Sequence, residues 1–398
     1  MANMKKVRLL FSKSLKEQTG ASTVMRLHAN NVDYYLGKDI DFSVFTRDDF
    51  LNANANNSSK GKSLKIKLKE KIDSILSLYY RKSPLLGFLM EYVRNIHPAE
   101  LFVNNLPNNN VNEILFFNEL YTCYCYLNKN SKNNHKIVLV IHNDGYDFHD
   151  LCDKIEGFKD SWLFNQMLKR YHKVLKSVDR IGFVSQYATE NFINNHPDID
   201  PKKVFYVLNG MELTDTPKSE ADNYEVVCVG SVNDRKRQET IVRALINCRE
   251  EKIDLTGIHF TIVGSGDKLE YLKQLSTDNG IDEYITFAGG TTDVNKYLAK
   301  AKIFILPSSN EGMPMAILEA MRMSLPIVST RTGEIPNMIV EGKSGLLIDS
   351  TTEGVFGFIK DIRKYDWDAM GKVSYDIFKE KYSVEHMLDS YIKIFNSI

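Results

Sequence analysis

Residues 301–321 read AKIFILPSSNEGMPMAILEAM, and this segment carries the most information about the architecture. The apolar run Ile303–Leu306 predicts a short buried strand, and Pro314 suits the first turn of a following helix. Glu311 then lies in a loop at the carboxyl end of the strand, where open α/β sheets bind ligands. The free amides at such a helix start favour a bound phosphate, and we expect them to be those of Met313, Met315 and Ala316.

Glu311 and Glu319 form a pair of carboxylates around this helix start. With Gly312, Met313 and Pro314, the pair resembles the signature of the nucleotide-sugar-dependent glycosyltransferases of family 4. Further similar segments are Pro326–Thr330, Thr332–Pro336 and Gly342–Ile348, so the resemblance covers the C-terminal half and only scattered places before it. It implies an α/β protein of the GT-B fold, with two Rossmann-like domains facing each other across a cleft and a C-terminal helix crossing back to the N-terminal domain.

Chain length agrees with two domains. A chain of 398 residues exceeds the size at which one hydrophobic core keeps growing. We predict an acceptor-binding domain of residues 1–212 and 383–398 and a donor-binding domain of residues 213–382. The polar stretch 214–222 reads as the linker between them.

Alternating strands and helices predict a mainly parallel sheet in each domain. In the N-terminal half we expect a helix from Thr23 to about Asn31 and these strands: Val7–Ser12, Asp41–Phe45, Leu101–Asn104, Lys136–His142 and Arg180–Ser185. Residues 204–211 resemble the strand and Asn-Gly turn that precede the domain crossover in the family. In the C-terminal half we expect a last helix at Val384–Asn396 and these strands: Val226–Val229, His259–Val263, Ile285–Ala288, Ile303–Leu306, Pro326–Ser329 and Gly345–Ile348.

The segment Gly230–Arg237 resembles the phosphate-binding loop of the family, with Lys236 at the position of its lysine. A lysine ammonium there would neutralise the leaving diphosphate. Ser231 replaces the family arginine, which leaves Arg235 or Arg237 as substitutes. A solvated basic helix start is the alternative interpretation of this segment.

Other donor contacts follow from the resemblance. Gly264 would border the nucleoside pocket, and Gly20 would correspond to a glycine-rich loop near the donor, although Ala21 replaces its second glycine. The carboxylate of Glu319 would accept hydrogen bonds from two ribose hydroxyls. Glu311 would bind the donor sugar and place negative charge near its anomeric carbon. Both glutamates could instead be ordinary helix-start charges.

His142 ends the predicted strand that begins at Lys136, at the place of the active-site histidine of the family, and is the second catalytic candidate. The polar residues Asn143, Asp144 and Asp147 that follow are candidate acceptor contacts. A structural histidine is the alternative interpretation of His142.

Composition limits the class of protein. Lysine plus arginine and aspartate plus glutamate number 51 each, which argues against a nucleic-acid-binding protein. Five scattered cysteines without zinc-ligand spacing indicate reduced thiols and a cytoplasmic protein. The amino terminus has too short an apolar stretch for a signal peptide, and no segment resembles a membrane span. We expect no cofactor and no metal ion, because the helix start and Lys236 would replace the divalent cation.

The segment Lys60–Lys82 is basic and has apolar residues at helical spacing. Such a helix can bind an anionic membrane surface, where a lipid-linked acceptor would be found, and it can equally be an ordinary surface helix. A peripheral position on the inner face of the membrane is therefore one hypothesis.

The sequence thus predicts a retaining glycosyltransferase that moves a hexosyl or N-acetylhexosaminyl group from a nucleoside diphosphate sugar to a hydroxyl of a glycan, lipid-linked or protein-linked acceptor, in bacterial surface polysaccharide or glycoconjugate synthesis. UDP-sugar is favoured as the donor and GDP-sugar is possible. The alternatives are a nucleotide-sugar epimerase and a catalytically silent partner of another transferase.

Overall fold

The computed structural model describes residues 4–17, 19–49, 79–107, 112–130, 134–213 and 223–398. These residues form two compact units. Unit 1 contains residues 1–207 and 388–398, and unit 2 contains residues 208–387. Most of the basic segment Lys60–Lys82 and the predicted linker 214–222 lie outside the described residues.

Unit 1 is built on a parallel sheet of six strands. The strands are β1 Lys5–Phe11, β2 Ile40–Thr46, β3 Ile114–Phe117, β4 Lys136–Ile141, β5 Arg180–Phe183 and β6 Val204–Tyr206. Their spatial order is β2-β1-β3-β4-β5-β6, so the chain changes direction across the sheet between β1 and β3. All four residues of β3 are buried, as expected for a central strand covered by helices on both faces.

Helices cover this sheet. They are α1 Gly20–Asn30, α2 Val32–Leu36, α3 Pro84–Glu91, α4 His97–Asn105, α5 Leu120–Lys129, α6 His149–Lys154, α7 Trp162–Ser177 and α8 Gln186–Asn195. A π-helical turn, Tyr92–Ile96, joins α3 to α4.

Unit 2 has a second parallel sheet of six strands. Its strands are β7 Tyr224–Val229, β8 Ile258–Val263, β9 Ile285–Gly289, β10 Ile303–Leu306, β11 Ile327–Thr330 and β12 Gly345–Ile348. Its helices are α9 Gln238–Glu250, α10 Leu269–Asp278, α11 Asn295–Leu298, α12 Met315–Arg322, α13 Ile335–Met338, α14 Thr352–Asp361 and α15 Trp367–Lys381.

The strand order in unit 2 is β12-β11-β10-β7-β8-β9. The chain winds outward from β7 through β8 to β9, then returns to the other side of β7 and continues through β10. The reversal therefore falls between β7 and β10. In an open α/β sheet a crevice forms at this point, outside the carboxyl ends of the strands.

The last helix, α16 Val384–Asn396, begins in unit 2 and belongs to unit 1 from Leu388 onward. Its rings of Tyr391 and Phe395 are fully buried, and both contact Phe116 of β3. Tyr391 also contacts the buried ring of His28 on α1, edge to face, at a centroid distance of 4.9 Å. The C-terminal helix therefore completes the aromatic core of the N-terminal unit, in agreement with the return of this helix that the resemblance implies.

Two predictions for the N-terminal half are wrong. Leu101–Asn104 is not a strand but part of α4, which has Pro98 in its first turn and buries Ala99, Phe102 and Val103 at helical spacing. Helix α1 begins at Gly20 and not at Thr23, because the Thr19 side chain accepts a hydrogen bond from the Ser22 amide and caps the helix. Gly20 is thus the first helical residue and not part of a glycine-rich loop.

The other strand predictions are confirmed to within one or two residues, including all six in unit 2. Strand β3 had not been predicted. Within the described ranges, none of the helices has both the length and the apolar character needed to cross a membrane.

Candidate functional site

Two loops meet at the point where the strand order of unit 2 reverses. The first follows β7 and runs from Gly230 to Arg237. Its bend depends on Gly230, whose φ is 148°. The side chain of Lys236 returns over this bend, and a Cβ on Gly230 would lie 3.5 Å from Lys236 Cε. Asn233 fixes the bend, because its Oδ1 accepts a hydrogen bond of 3.0 Å from the Lys236 amide.

The second loop follows β10 and carries Glu311, whose carboxylate contacts two cations. Glu311 Oε1 lies 2.6 Å from Lys236 Nζ, and Oε2 lies 3.1 Å from Arg235 Nη1. Glu311 is 5% exposed and Lys236 is 9% exposed, whereas a third of the Arg235 side chain reaches solvent. The three side chains form a buried ionic cluster with one positive charge in excess.

Hydrogen bonds between the two loops hold the cluster in place. Arg235 Nη1 donates to the Asn310 carbonyl at 2.8 Å, and the Ser309 amide donates to the Arg235 carbonyl at 2.8 Å. Arg237 is directed elsewhere, since its guanidinium donates to the Ser350 carbonyl. Of the two arginines that could substitute for the missing family arginine, Arg235 is therefore the one beside Glu311.

The ionic contacts keep Glu311 charged. Burial raises the pKa of its carboxyl group, but the charges of Lys236 and Arg235 outweigh this effect, so the pKa is lower than the usual value. Glu311 is therefore a carboxylate at neutral pH. It can stabilise positive charge or accept hydrogen bonds, and it cannot serve as a general acid there.

Helix α12 begins close to this cluster. The amides of its first two residues, Met315 and Ala316, have no hydrogen-bond acceptor within the helix, because no helical turn precedes them. Pro314 precedes them at the N-cap position, with φ −76° and ψ 119°. Met313 is buried, and its Sδ accepts a hydrogen bond of 3.1 Å from the Asn209 amide.

The loop that carries Glu311 packs against Gly333. The Gly312 carbonyl accepts a hydrogen bond of 2.8 Å from the Glu334 amide. Gly333 has a φ of 56°, and a Cβ there would lie 1.9 Å from the Glu311 carbonyl oxygen. Only glycine fits at this position, because a side chain would push the Glu311 loop away.

Glu319 lies in the second turn of α12 and is partly exposed. Its charge acts on Arg322 of the same helix, where it opposes the effect of burial, which lowers the pKa of the guanidinium. Glu319 is thus on the helix whose start is beside Glu311, as the sequence predicts. Its predicted contact with ribose stays a prediction.

Gly264 brings the loop after β8 against the loop after β7. With a φ of 154°, it lies so close that a Cβ would be 2.0 Å from the Gly230 carbonyl oxygen. The neighbouring Ser231 is exposed, and its carbonyl accepts a hydrogen bond of 3.0 Å from Gln238 Nε2. The predicted donor residues Ser231, Lys236 and Gly264 are therefore gathered around one loop.

His142 lies in unit 1, directly after β4, and is described within that unit alone. Its Nε2 is 2.8 Å from Asn118 Oδ1, a contact that is a hydrogen bond when Nε2 carries the proton, since an amide oxygen only accepts. Burial, followed by the charge of Lys13, lowers the pKa of His142 to about 4. The imidazole is therefore neutral near pH 7.

Two of the candidate acceptor residues after His142 are engaged in the turn. Asn143 Oδ1 accepts from the Gly145 amide at 3.0 Å, and Asp144 Oδ1 accepts from the Tyr146 amide at 3.2 Å. Gly20, at the first position of α1, also belongs to unit 1. Its role at the donor remains a prediction.

Sequence reasoning did not foresee Gly333 or Asn118. The signal for Gly333 was present, since a glycine before Glu334 in a segment similar to a known family indicates a special backbone position. Asn118 could not be found, because it follows β3, the strand that the sequence did not reveal.

Comparison with known protein families matches the part of the chain that contains Arg235, Lys236 and Glu311. Residues 223–363 match the family described as "Glycosyl transferases group 1". The chain is 27% identical over 188 residues to the lipopolysaccharide core biosynthesis glycosyltransferase LpsE of Rhizobium meliloti. The aligned residues cover 46% of this chain and 52% of that protein. It is 33% identical over 133 residues to a GDP-mannose-dependent alpha-(1-6)-phosphatidylinositol monomannoside mannosyltransferase of Mycobacterium tuberculosis, covering 31% of this chain and 34% of that protein. The chain thus spans about half or less of these relatives.

Solved structures resemble the chain over its whole length. TarM superposes with a TM-score of 0.69 at 13% identity, covering 99% of both chains. HepE of Anabaena, solved in complex with UDP, superposes with a TM-score of 0.66 at 15% identity, covering 99% of this chain and 100% of that one. At such identities the likeness establishes the fold, which is GT-B. Residues 223–363 thus match the group 1 glycosyltransferase family, within a chain that has the GT-B fold.

Proposed function

We propose that the protein is a retaining glycosyltransferase that moves a hexosyl or N-acetylhexosaminyl group from a nucleoside diphosphate sugar to an acceptor hydroxyl. The observation that carries the proposal is the buried cluster of Glu311, Lys236 and Arg235 at the carboxyl ends of β7 and β10. A diphosphate ester needs cations, and a sugar that loses its leaving group needs nearby negative charge. The cluster supplies both at the expected ligand position of the sheet.

In the proposed mechanism, Lys236 and Arg235 bind the diphosphate and stabilise the charge that it gains as the bond to the sugar breaks. The excess positive charge of the cluster favours anion binding, and the start of α12 adds amide donors from Met315 and Ala316. No divalent cation is required for this task. Glu311, which stays ionised, stabilises the positive charge that develops at the anomeric carbon.

Retention is proposed to occur by front-face substitution. The departing phosphate removes the proton from the incoming hydroxyl on the same side of the sugar, so the acceptor oxygen bonds to the anomeric carbon as the phosphate leaves. His142 is proposed as a neutral hydrogen-bonding group for the donor or acceptor, since its low pKa keeps it uncharged.

UDP-sugar is the favoured donor, with Glu319 as the ligand of the ribose hydroxyls. HepE, which shares the fold, is described in complex with UDP, which supports this choice. GDP-sugar is the second possibility, because the mycobacterial relative is described as GDP-mannose-dependent. No further cofactor is needed.

The acceptor is proposed to be a glycan, a lipid-linked acceptor or a protein-linked acceptor in bacterial surface polysaccharide or glycoconjugate synthesis. The names of the relatives support this class: one acts in lipopolysaccharide core biosynthesis and another on a phosphatidylinositol monomannoside. We propose a cytoplasmic protein that contacts the anionic inner membrane surface through Lys60–Lys82. Sedimentation with anionic vesicles at low and moderate salt tests this contact, and absence of binding at both salt concentrations would remove it.

A panel of nucleotides tests the donor proposal. Wild type and Glu319→Ala would be melted with UDP, GDP, ADP, TDP and CMP, each in excess. One nucleotide should raise the melting temperature of the wild type, with a stabilisation of about 2.7 kcal/mol at a hundredfold excess over Kd, and should have little effect on the variant. Absence of a shift with all five nucleotides would contradict donor binding and favour a silent partner.

Turnover separates the enzyme from its rivals. Wild type incubated with the nucleotide sugar and candidate acceptors should release nucleoside diphosphate and form a glycosylated product. Isomerised sugar nucleotide without product would identify an epimerase. Glu311→Gln is the matched control, since it retains the shape of the side chain and removes its charge.

A further inference from the structure

One carboxylate and two imidazoles meet in unit 1. The carboxylate is that of Asp147, a candidate acceptor contact by sequence, which contacts His196 in the structure; the proposed sugar transfer assigns no role to the three side chains. Asp147 follows β4, His172 lies in α7, and His196 ends α8. The ligand atoms of all three lie within 4.8 Å of one another. His196 Nε2 is 3.0 Å from Asp147 Oδ1, and the two imidazole rings are nearly perpendicular at a centroid distance of 5.3 Å.

These distances suit a metal ion. Zinc bonds of about 2.0–2.2 Å to nitrogen and oxygen place neighbouring donor atoms roughly 3–3.5 Å apart. The pair Asp147–His196 already has this spacing, and the ligand nitrogen of His172 lies within 4.8 Å of the ligand atoms of both. Two imidazole nitrogens and one carboxylate oxygen are ligands typical of zinc. We propose that Asp147, His172 and His196 bind one Zn²⁺ ion, with water at the fourth position.

The surroundings fix the proposed ligands. The Asp147 and His196 side chains are only 18% and 4% exposed. The Tyr171 hydroxyl hydrogen-bonds Asp147, in the manner of the outer contacts that orient metal ligands. The His196 amide donates to the Phe192 carbonyl at 2.9 Å, which holds the ligand against the end of its helix.

The loop that carries Asp147 is also anchored. Asn191 Nδ2 donates to the Asp144 carbonyl at 3.0 Å, and Gly145 packs so closely on α8 that a Cβ would lie 2.1 Å from the Ala188 carbonyl oxygen. The three ligands thus come from segments already held together. A bound ion would fasten the loop 142–148, which begins with His142, to α7 and α8.

A second histidine–carboxylate pair, which has no third metal ligand within the described ranges, provides a comparison for the proposed site. In unit 2, His259 Nδ1 lies 2.9 Å from Glu225 Oε2, which is the same type of contact. Among the residues that the structure describes, only Asp147, His172 and His196 form a group of three convergent metal ligands. The additional imidazole of His172 is what distinguishes it, and His259 therefore serves as the matched control.

Cobalt titration tests the proposal. Full-length protein without an affinity tag would be treated with a chelator, dialysed, and titrated with Co²⁺ while visible absorption is recorded. We expect a d–d band that saturates at one equivalent and disappears on addition of Zn²⁺. Zn²⁺ alone should raise the melting temperature of the wild type. His172→Ala and Asp147→Asn should each weaken Co²⁺ binding at least tenfold, whereas His259→Ala should bind like the wild type.

Two results would overturn the proposal. One is wild-type protein that gives no saturable band, which would leave Asp147 and His196 as a metal-free hydrogen-bonded pair. The other is Co²⁺ binding that persists unchanged in both His172→Ala and Asp147→Asn, with circular dichroism showing that the variants are folded. Sugar transfer is not part of either measurement, so the result is independent of the proposed function.

Discussion

At the scale of single residues, the Glu311 carboxylate has two cationic neighbours and a buried position, so its charge matters for stability and for chemistry. Glu311→Gln leaves Lys236 buried without its counter-ion, and breaking a buried pair in this way costs about 3–5 kcal/mol. The same change removes the negative charge proposed to act on the sugar. We expect turnover to fall at least about a hundredfold.

Urea unfolding and initial rates measure the two effects separately. Glu319→Gln is the control for stability, because Glu319 lies in the second turn of the helix that follows Glu311 and is partly exposed. If Glu311→Gln unfolded at the wild-type urea concentration, the ionic cluster would not stabilise the native state. If it retained the wild-type rate, the proposed role of Glu311 in transfer would be wrong.

Two histidines of unit 1 predict how stability depends on pH. Burial, followed by the charge of His142, lowers the pKa of His28 to about 3, and that of His142 is lowered to about 4. Between these values and about 6.5, the unfolded chain binds protons that the native protein does not. Stability should therefore fall as pH decreases from about 7 toward 4, by up to roughly 1.4 kcal/mol per pH unit for each histidine.

His142→Gln tests the contribution of one of them. Urea unfolding at several pH values from about 7 to 5 should give a shallower dependence for the variant than for the wild type, since one titrating group is removed. Equal slopes for the two proteins would show that His142 is protonated as readily in the native state as in the unfolded chain.

The sequence predicted two of the three residues of the ionic cluster and left the third undecided. Glu311 and Lys236 were predicted, because each lies in a segment similar to a known family and follows a buried strand. The sequence could not decide between Arg235 and Arg237, because it does not reveal side-chain direction. In the structure the Arg237 side chain is directed to the Ser350 carbonyl. The group of Asp147, His172 and His196 was not foreseen, because its members are far apart in the chain.

At the scale of elements, the close contact between Gly333 and the Glu311 loop makes a prediction. Gly333→Ala places a Cβ against two carbonyl oxygens, at 1.9 Å from Glu311 and 2.6 Å from Gly312, and requires an unfavourable positive φ. The loop must move. We expect a loss of about 1–3 kcal/mol in stability and weaker binding of the nucleotide.

Gly357→Ala is the matched control. Gly357 lies within helix α14, and a Cβ there has no atom within 4 Å. This change should stabilise the protein by roughly 0.5–1 kcal/mol and leave nucleotide binding unchanged. Thermal unfolding and a nucleotide titration distinguish the two variants, and equal effects of both would contradict the tight packing at Gly333.

Elements were predicted more successfully in unit 2 than in unit 1. The strands of unit 2 are short apolar runs bounded by glycine, proline or serine, and such boundaries fix their position. The segment Leu101–Asn104 was misassigned because a short apolar run fits a strand and a buried helix turn equally well. The segment is helical in the structure, where the helix buries Phe102 and Val103 in the core.

At the scale of the whole molecule, chain length and alternating elements predicted two parallel sheets, and the structure has them. The order of strands within each sheet was not predicted, since the sequence by itself does not show which strands pair. The residues outside the described ranges include most of the basic segment Lys60–Lys82, whose membrane contact stays a hypothesis.

The stereochemical outcome is a property of the complete enzyme. If the proposed front-face substitution is correct, the sugar in the product keeps the anomeric configuration that it has in the donor. Proton NMR spectra recorded early in the reaction, before mutarotation or hydrolysis, would identify the anomer. An inverted product would exclude this mechanism and require a group that removes the acceptor proton from the opposite face.

The contribution of α16 to unit 1 has a consequence for synthesis on the ribosome. Tyr391 and Phe395 fill the aromatic core around His28, and Lys5 Nζ donates a hydrogen bond of 2.9 Å to the Phe395 carbonyl. Unit 1 is translated first, but its core cannot be completed until the residues after unit 2 have been synthesised. Translation of unit 2 takes on the order of ten seconds at about 5–20 residues per second. During that interval we expect the nascent chain to expose part of an aromatic core and to be bound by chaperones that act during translation.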